Sequence, residues 1–247
     1  GTIEGTNFIG TTDDKYFTIR TNDTEKIRIT TKGQIEVFNT GGSIFIGELA
    51  GANDNSVSTY NVGIGYNSMN SNTTGSNNSA LGNQSLFSNS TGTLNSAVGN
   101  ASLFSNSIGS YNSALGGGTL YQNSTGSYNA AIGFRSLVSN TTGSNNSANG
   151  THSLFSNISG SNNSALGLNS LNRNTTGGAN TAVGRSSLSG NTFGKYNSAF
   201  GYQSLFSNTT GDFNSAFGFQ SLRNNTIGTN NSAFGIYALQ SNTTGVK

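Results

Sequence analysis

Apolar and polar positions along this chain recur with a period of seventeen residues, from Asn61 to the end. Nearly every period holds one Leu or Met after a Ser or Thr, and one Ala followed by a variable, usually apolar, residue that we call position h. The consensus is G-x-x-S-L-F-S-N-T-T-G-S-x-N-S-A-h. Two glycine series and two asparagine series run through the periods without an insertion, starting at Gly65, Gly75, Asn61 and Asn72.

A strict period without insertions predicts one structural coil per repeat, because an inserted residue would shift every coil stacked on it. Helix is disfavoured, since each repeat contains two glycines, which cost about 1 kcal/mol per helical position. The glycines divide each coil into arms of ten and seven residues, for which we expect two short strands and two turns. The sequence therefore predicts an all-β fold, a parallel β-roll or β-solenoid of about eleven coils and roughly 50 Å in length.

Stacking places like residues above like at about 4.8 Å, so the asparagines are expected to hydrogen-bond along the axis. The ladder glycines are expected to have positive φ angles at the corners. Strand alternation puts Ala and position h on opposite faces. We expect the h side chains to fill the coil and the alanines to face outward, where their small size suits close approach by another chain.

Two large apolar residues in seventeen give little core to offset the conformational entropy of ordering a coil. Oligomerisation is the natural supplement, and we favour an intertwined homotrimer over a monomer.

The N-terminal part has a different pattern, in which apolar residues alternate with polar ones over three short segments separated by turn residues. We predict a small β-meander or connector over residues 1–40, an imperfect first coil over 41–60, and the seventeen-residue repeats over 61–247. The alternating apolar pairs are Phe17 and Ile19, Ile27 and Ile29, and Ile35 and Val37.

Composition excludes several classes of protein. Only 8% of the residues are charged, the net charge is +2, and the chain has no Cys, which rules out disulfides and thiolate metal sites. Six basic residues spread over 51–247 do not form a nucleic-acid footprint. No apolar run reaches the ~18 residues of a membrane helix. Because the chain begins at Gly1 without Met and ends inside a repeat, we expect a fragment of a longer protein.

Catalytic chemistry is not indicated, and we predict no enzyme, metal site or cofactor. The repeats contain one histidine and one acid, Asp212, with Asp54 at their margin, so paired-carboxylate chemistry has no support. The run Gly116-Gly117-Gly118 lacks the lysine of a phosphate-binding loop. One repeat has Asn149 at position h, close to His152. We favour a tolerated polar substitution there, and the alternative is a ligand or ion site.

The repeat N-S-A-h-G, with the variant Asn61-Val62-Gly63-Ile64-Gly65, resembles the S-V-A-I-G repeat of trimeric autotransporter adhesin heads. It is also similar to Asn/Thr/Gly-rich repeats of bacterial and phage tail-fibre proteins. Residues 5–13, 18–22 and 27–29 resemble a module that often precedes such repeats. The resemblance implies a parallel β-roll within a trimer. It departs from adhesin heads in its longer repeat and in having Ser79 and its equivalents where Val is usual.

We therefore expect a structural fibre segment, the shaft or head of an extracellular adhesin or tail fibre on a cell, virion or injection particle. Its partners would be further copies of itself and a cell-surface or glycan receptor. The alternative is a monomeric solenoid that binds ice or another regular surface through its Thr-Thr ladder. The variable slots after each glycine supply the candidate surface contacts Tyr66, Tyr111, Tyr128, Arg135, Arg185, Tyr196 and Tyr202.

Overall fold

The computed structural model describes residues 10–11, 13–38, 41–55, 57 and 59–245. The described chain is all-β and contains two sheets, one of three antiparallel strands and one of twelve parallel strands. The second sheet belongs to a parallel β-solenoid of about eleven turns of about seventeen residues. Residues 5–9 and 12, part of the segment that resembles an N-terminal module, lie outside the described residues.

The small sheet consists of β1 Phe17–Thr21, β2 Thr24–Ile29 and β3 Ile35–Val37, in that spatial order. The predicted three-stranded meander is thus confirmed. Arg28 ties the sheet together, because its Nε donates to Glu25 Oε1 at 2.8 Å and its Nη1 lies 3.5 Å from Glu36 Oε2. The same guanidinium lies 4.6 Å from the ring centroid of Tyr16.

The large sheet takes one three-residue strand from each coil, and each strand pairs with its neighbours in the chain. The register advances by seventeen residues, so that Ala148 lies beside Ala165 and Ser147 beside Ser164. Its strands are β4 Ile44–Ile46, β5 Val62–Ile64, β6 Ser79–Leu81, β7 Ser96–Val98, β8 Ser113–Leu115, β9 Ala130–Ile132, β10 Ser147–Asn149, β11 Ser164–Leu166, β12 Thr181–Val183, β13 Ser198–Phe200, β14 Ser215–Phe217 and β15 Ser232–Phe234.

The expectation of two strands per coil is wrong, since in the described repeats only the S-A-h segment forms a strand. The remainder of each coil turns repeatedly. In the second full coil, for example, Gln84, Leu86 and Leu94 have φ angles of 55°, 50° and 58°, a region that strands do not use. These turns still bond coil to coil, as where Leu86 N donates to Ser102 O at 3.0 Å.

The interior of the solenoid is built from five series of side chains, two of them apolar. The Leu series from Met69 to Leu222 is fully buried, and the Ala series from Ala80 to Ala233 is at most 3% exposed. The Ser or Thr that precedes each Leu is also buried, and so are nearly all members of both Asn series. Most of the interior is therefore polar.

Our assignment of the two strand faces is wrong. Alanine points into the coil and position h points outward, where Leu81 and Leu115 are each 51% exposed. The cause is the narrow cross-section of a seventeen-residue coil. Around the alanine, each coil already buries a Leu, a Ser or Thr and two Asn side chains, which leaves room for only a methyl group.

The asparagine ladders form as predicted. Asn95 N and Asn95 Nδ2 both donate to Asn78 Oδ1, at 2.9 and 3.1 Å, and Asn95 Nδ2 also donates to Gly109 O at 2.9 Å. In the second ladder Asn106 Nδ2 donates to Asn89 Oδ1 at 2.8 Å and to the same Gly109 carbonyl at 2.9 Å. Buried amides cost little when every donor and acceptor is paired, so the ladders can replace an apolar core.

The glycine series have different causes. The first has positive φ throughout, as at Gly82 with 140°, which confirms that part of the prediction. The second series, for example Gly92, does not have positive φ. Its reason is space, because a Cβ at Gly92 would overlap Asn89 Oδ1 and the carbonyl oxygen of Gly109.

The N-terminal end of the stack is closed by Phe45 and Asp54, a role that the sequence did not predict for either residue. Phe45 occupies the place of the Ala series in β4 and packs against the core. A Cβ at Gly63 would lie 2.8 Å from its ring, so that glycine makes room for it. Asp54 Oδ2 accepts from Asn61 Nδ2 at 3.4 Å and from Asn72 Nδ2 at 3.1 Å, so one carboxylate ends both amide ladders.

Candidate binding surfaces

The outer face of the large sheet carries one row of mostly apolar side chains, which we call the h row. Because the sheet is parallel and in register, each member lies directly beside the h residue of the next coil. A single polar residue, Asn149, interrupts the row. Its apolar members are Ile64, Leu81, Val98, Leu115, Ile132, Leu166, Val183, Phe200, Phe217 and Phe234.

The h row becomes aromatic toward its C-terminal end. Phe200 stacks on Phe217 with a centroid distance of 4.7 Å, and Phe217 stacks on Phe234 at 5.0 Å. The last of these rings is 71% exposed. Next to the row, on the same face, lie the small polar residues that begin each strand, such as Ser198 and Ser215. Because these side chains are short, the larger h side chains protrude beyond them.

The seven predicted contact residues are all exposed. The structure pairs some of them along the axis: Tyr111 stacks on Tyr128 at 4.7 Å, and Tyr196 stacks on Phe213 at 4.9 Å. It does not gather the seven into one patch. Tyr111, Tyr128 and Tyr196 follow the second glycine series, whereas Tyr66, Arg135, Arg185 and Tyr202 follow the first, on different coils.

Asn149 and His152 are placed differently, although they are close in sequence. Asn149 is on the outer sheet face within the h row. His152 is part of an aromatic cluster at the adjoining turn, with ring centroids 5.9 Å from Phe134 and 5.1 Å from Phe155. Within the described ranges no group of three or more His, Cys, Asp or Glu could hold a metal ion.

The Thr-Thr ladder consists of two rows of side chains, one hydrogen-bonded to the next coil and one free of such bonds in the described coils. The first Thr or Ser of each pair is engaged with the next coil, as where Thr73 Oγ1 donates to Ser90 O and Ser90 Oγ to Ser107 O, each at 3.0 Å. The second residue is exposed at Thr74 but is Ile at Ile108. One hydroxyl row, interrupted at Ile158, is therefore committed to holding the coils together.

A notch opens where the chain has Gly117 and Gly118, a run that we considered only for phosphate binding. Its volume is about 360 Å³, and Tyr121, Phe134 and Arg135 are among the residues that line it. The signal for it was in the repeat, since every other coil from Gly65 onward has side chains at both positions that follow the first glycine.

Comparison of the chain with protein-family models, with curated proteins and with solved structures finds no match. No helix in the described part of the chain is long and apolar enough to cross a membrane.

Proposed function

We propose that this chain is a structural fibre segment, the shaft or head of an extracellular trimeric adhesin or tail fibre that attaches its carrier to a cell or surface. The observation that supports this most is the outward-facing h row. It gives a rigid stack of coils a long apolar surface that a single chain leaves in water. Sizeable exposed apolar patches are typical of interfaces rather than of isolated soluble chains.

The area of the h row is of the right order for a stable interface. Leu81, Leu115, Ile132 and Leu166 are about half exposed and Phe234 is 71% exposed, whereas Ile64, Val183, Phe200 and Phe217 are only partly exposed. At roughly 100 Å² for a half-exposed side chain, the row presents on the order of 600–900 Å². Standard interfaces bury about 800 Å² on each partner. A row one residue wide suits three parallel copies, because each copy can direct its h side chains at one common axis.

Asn149 gives such an assembly a fixed register. In coiled coils, a single polar residue within an apolar seam selects the alignment and the number of chains at some cost in stability. Three copies aligned in register would bring their Asn149 amides together near the middle of the row. Asn149→Leu is then expected to tighten association while it allows shifted registers, which cross-linking between defined coils would detect.

Light scattering on the intact chain tests the proposal. We expect three times the chain mass of 25.4 kDa. Leu166→Glu places a charge in the h row and should dissociate the assembly. Ser164→Glu places the same charge on the same outer face of β11, and it should leave the mass unchanged. A wild-type chain that is folded and monomeric at all concentrations, or two variants with equal effects, would contradict the proposal.

Ice or lattice binding through the Thr ladder remains the alternative to a fibre. Absence of thermal hysteresis in solutions of the folded chain would rule it out.

A further inference from the structure

The fold does not need glycine at positions 117 and 118, where the notch lies. Gly118 has a φ of 64°, and other coils carry side chains at the equivalent position with similar angles, for example Gln84 at 55° and Arg135 at 53°. A Cβ at Gly117 would come no closer than 3.7 Å to Phe134, and one at Gly118 would lie 3.4 Å from Arg135 Cγ. Both are ordinary contacts, so the missing side chains leave a space that the fold does not need.

The space is lined by aromatic rings and by a cation. Phe134 is 53% exposed and presents its ring, while the Arg135 guanidinium lies 5.3 Å from that ring's centroid. Tyr121 also lines the notch and is stacked on Phe104 at 4.9 Å, which restricts the orientation of its ring. The walls are therefore held in place before any ligand arrives.

Three polar side chains of the notch have no hydrogen-bonding partner within the described protein. Within the described residues, the side chains of Asn100, Tyr121 and Arg135 make no hydrogen bond or ion pair with the protein. The charge of Arg135 is also uncompensated in sequence, because residues 61–211 contain no Asp or Glu. An amide, a phenol and a guanidinium thus converge on one concave site without protein partners.

We propose that this notch binds an acidic sugar, a pyranose unit that carries a carboxylate. Its volume of about 360 Å³ lies at the small end of the range for ligand sites, which suits one ring. The apolar face of the sugar would lie on Phe134, and the carboxylate would pair with the planar fork of Arg135. Asn100 and Tyr121 would bond the ring hydroxyls. The site lies within one chain, so it goes beyond the proposed fibre and does not depend on it.

NMR titration of the intact chain with glucuronic acid, glucose and acetate tests the assignment. We expect saturable millimolar binding of glucuronic acid, at least ten-fold weaker binding of glucose, and no saturation by acetate. Hydrogen bonds to charged groups are strong enough that Arg135→Gln should weaken glucuronic acid binding about ten-fold. Gly118→Gln introduces into the notch the side chain that Gln84 carries at the equivalent position of its coil, and it should abolish binding.

Two control variants distinguish loss of this site from the loss of any positive charge and from a disturbed fold. Arg185→Gln removes the same charge on another coil, and Gln84→Asn alters the row of Gly118 two coils away. Both should bind as the wild type does. Equal losses in Arg135→Gln and Arg185→Gln, equal affinity for glucose and glucuronic acid, or no binding by the folded wild type would each overturn the proposal. Light scattering on the same samples measures the mass of the assembly and so tests the fibre hypothesis separately.

Discussion

Replacing Asn146 by Ala tests whether the amide ladder, rather than apolar burial, holds the coils together. The Asn146 side chain makes four hydrogen bonds in the coil stack. Its Nδ2 donates to Asn129 Oδ1 at 3.1 Å and to Gly160 O at 2.9 Å. Its Oδ1 accepts from the backbone N and from Nδ2 of Asn163, at 3.0 and 3.1 Å.

The magnitude follows from the groups left behind. Each intramolecular hydrogen bond contributes about 0.5–1.5 kcal/mol net, and a buried group left without a partner costs about 1–3 kcal/mol. In Asn163, the backbone N–H and one of the two Nδ2 hydrogens lose their acceptor, while the other Nδ2 hydrogen keeps Gly177 O. We expect Asn146→Ala to lower the free energy of unfolding by about 3–5 kcal/mol.

Urea unfolding and amide hydrogen exchange together measure this effect. Ser147→Ala is the matched control, since Ser147 is exposed on the sheet and Ala130 already occupies the equivalent place. Exchange at the Asn163 amide should accelerate in Asn146→Ala and stay slow in Ser147→Ala. If the two variants are equally stable, or if the Asn163 amide stays protected in both, the ladder does not have the role assigned to it.

Three further substitutions test the interior, the end of the ladder and the glycines. Leu154→Ala should cost about 2–5 kcal/mol in unfolding free energy by urea titration, whereas Leu166→Ala should cost less and mainly weaken association by light scattering. Asp54→Ala should speed hydrogen exchange in the first coils, because it leaves two ladder amides each with one unpaired donor. Gly143→Ala should lower the thermal midpoint, since its Cβ would overlap Asn140 Oδ1, while Gly117→Ala should not.

Much of the fold follows from the sequence period alone. A seventeen-residue repeat without insertions determines that coils stack, that the sheet is parallel, and that like residues form ladders. The two unbroken Asn series predicted hydrogen bonds between stacked amides along the axis, and the structure has them. None of these conclusions needs the cross-section of the coil, because stacking depends only on the period.

The inside and outside of the strand were not predictable from alternation, which separates two faces without saying which is buried. The cross-section decides, and it leaves room for only a methyl group opposite Leu137 and its equivalents. A signal was present nonetheless. Position h varies from Val98 to Phe200 and includes Asn149, whereas Ala is constant from Ala80 to Ala233. A close-packed interior does not accept such changes of volume, but an outer face does.

The notch and the ladder end were missed for a related reason. Both are departures from the repeat, and a consensus hides what departs from it. Asp54 precedes the regular repeats, and Gly117 and Gly118 look unremarkable among 35 glycines until they are compared with the same two positions in other coils.

The solenoid thus combines a largely polar interior with an apolar outer sheet face, and this arrangement links its stability to its assembly. Paired amides hold one coil to the next along the axis, while the larger apolar side chains of each strand point away from the chain. Burial of apolar surface contributes about 25 cal/mol per Å², so most of the hydrophobic stabilisation that the h row offers is realised only when another surface covers it. A partner that binds only the folded coils stabilises them by mass action. The stability of each coil and the association of the chains are therefore expected to rise and fall together.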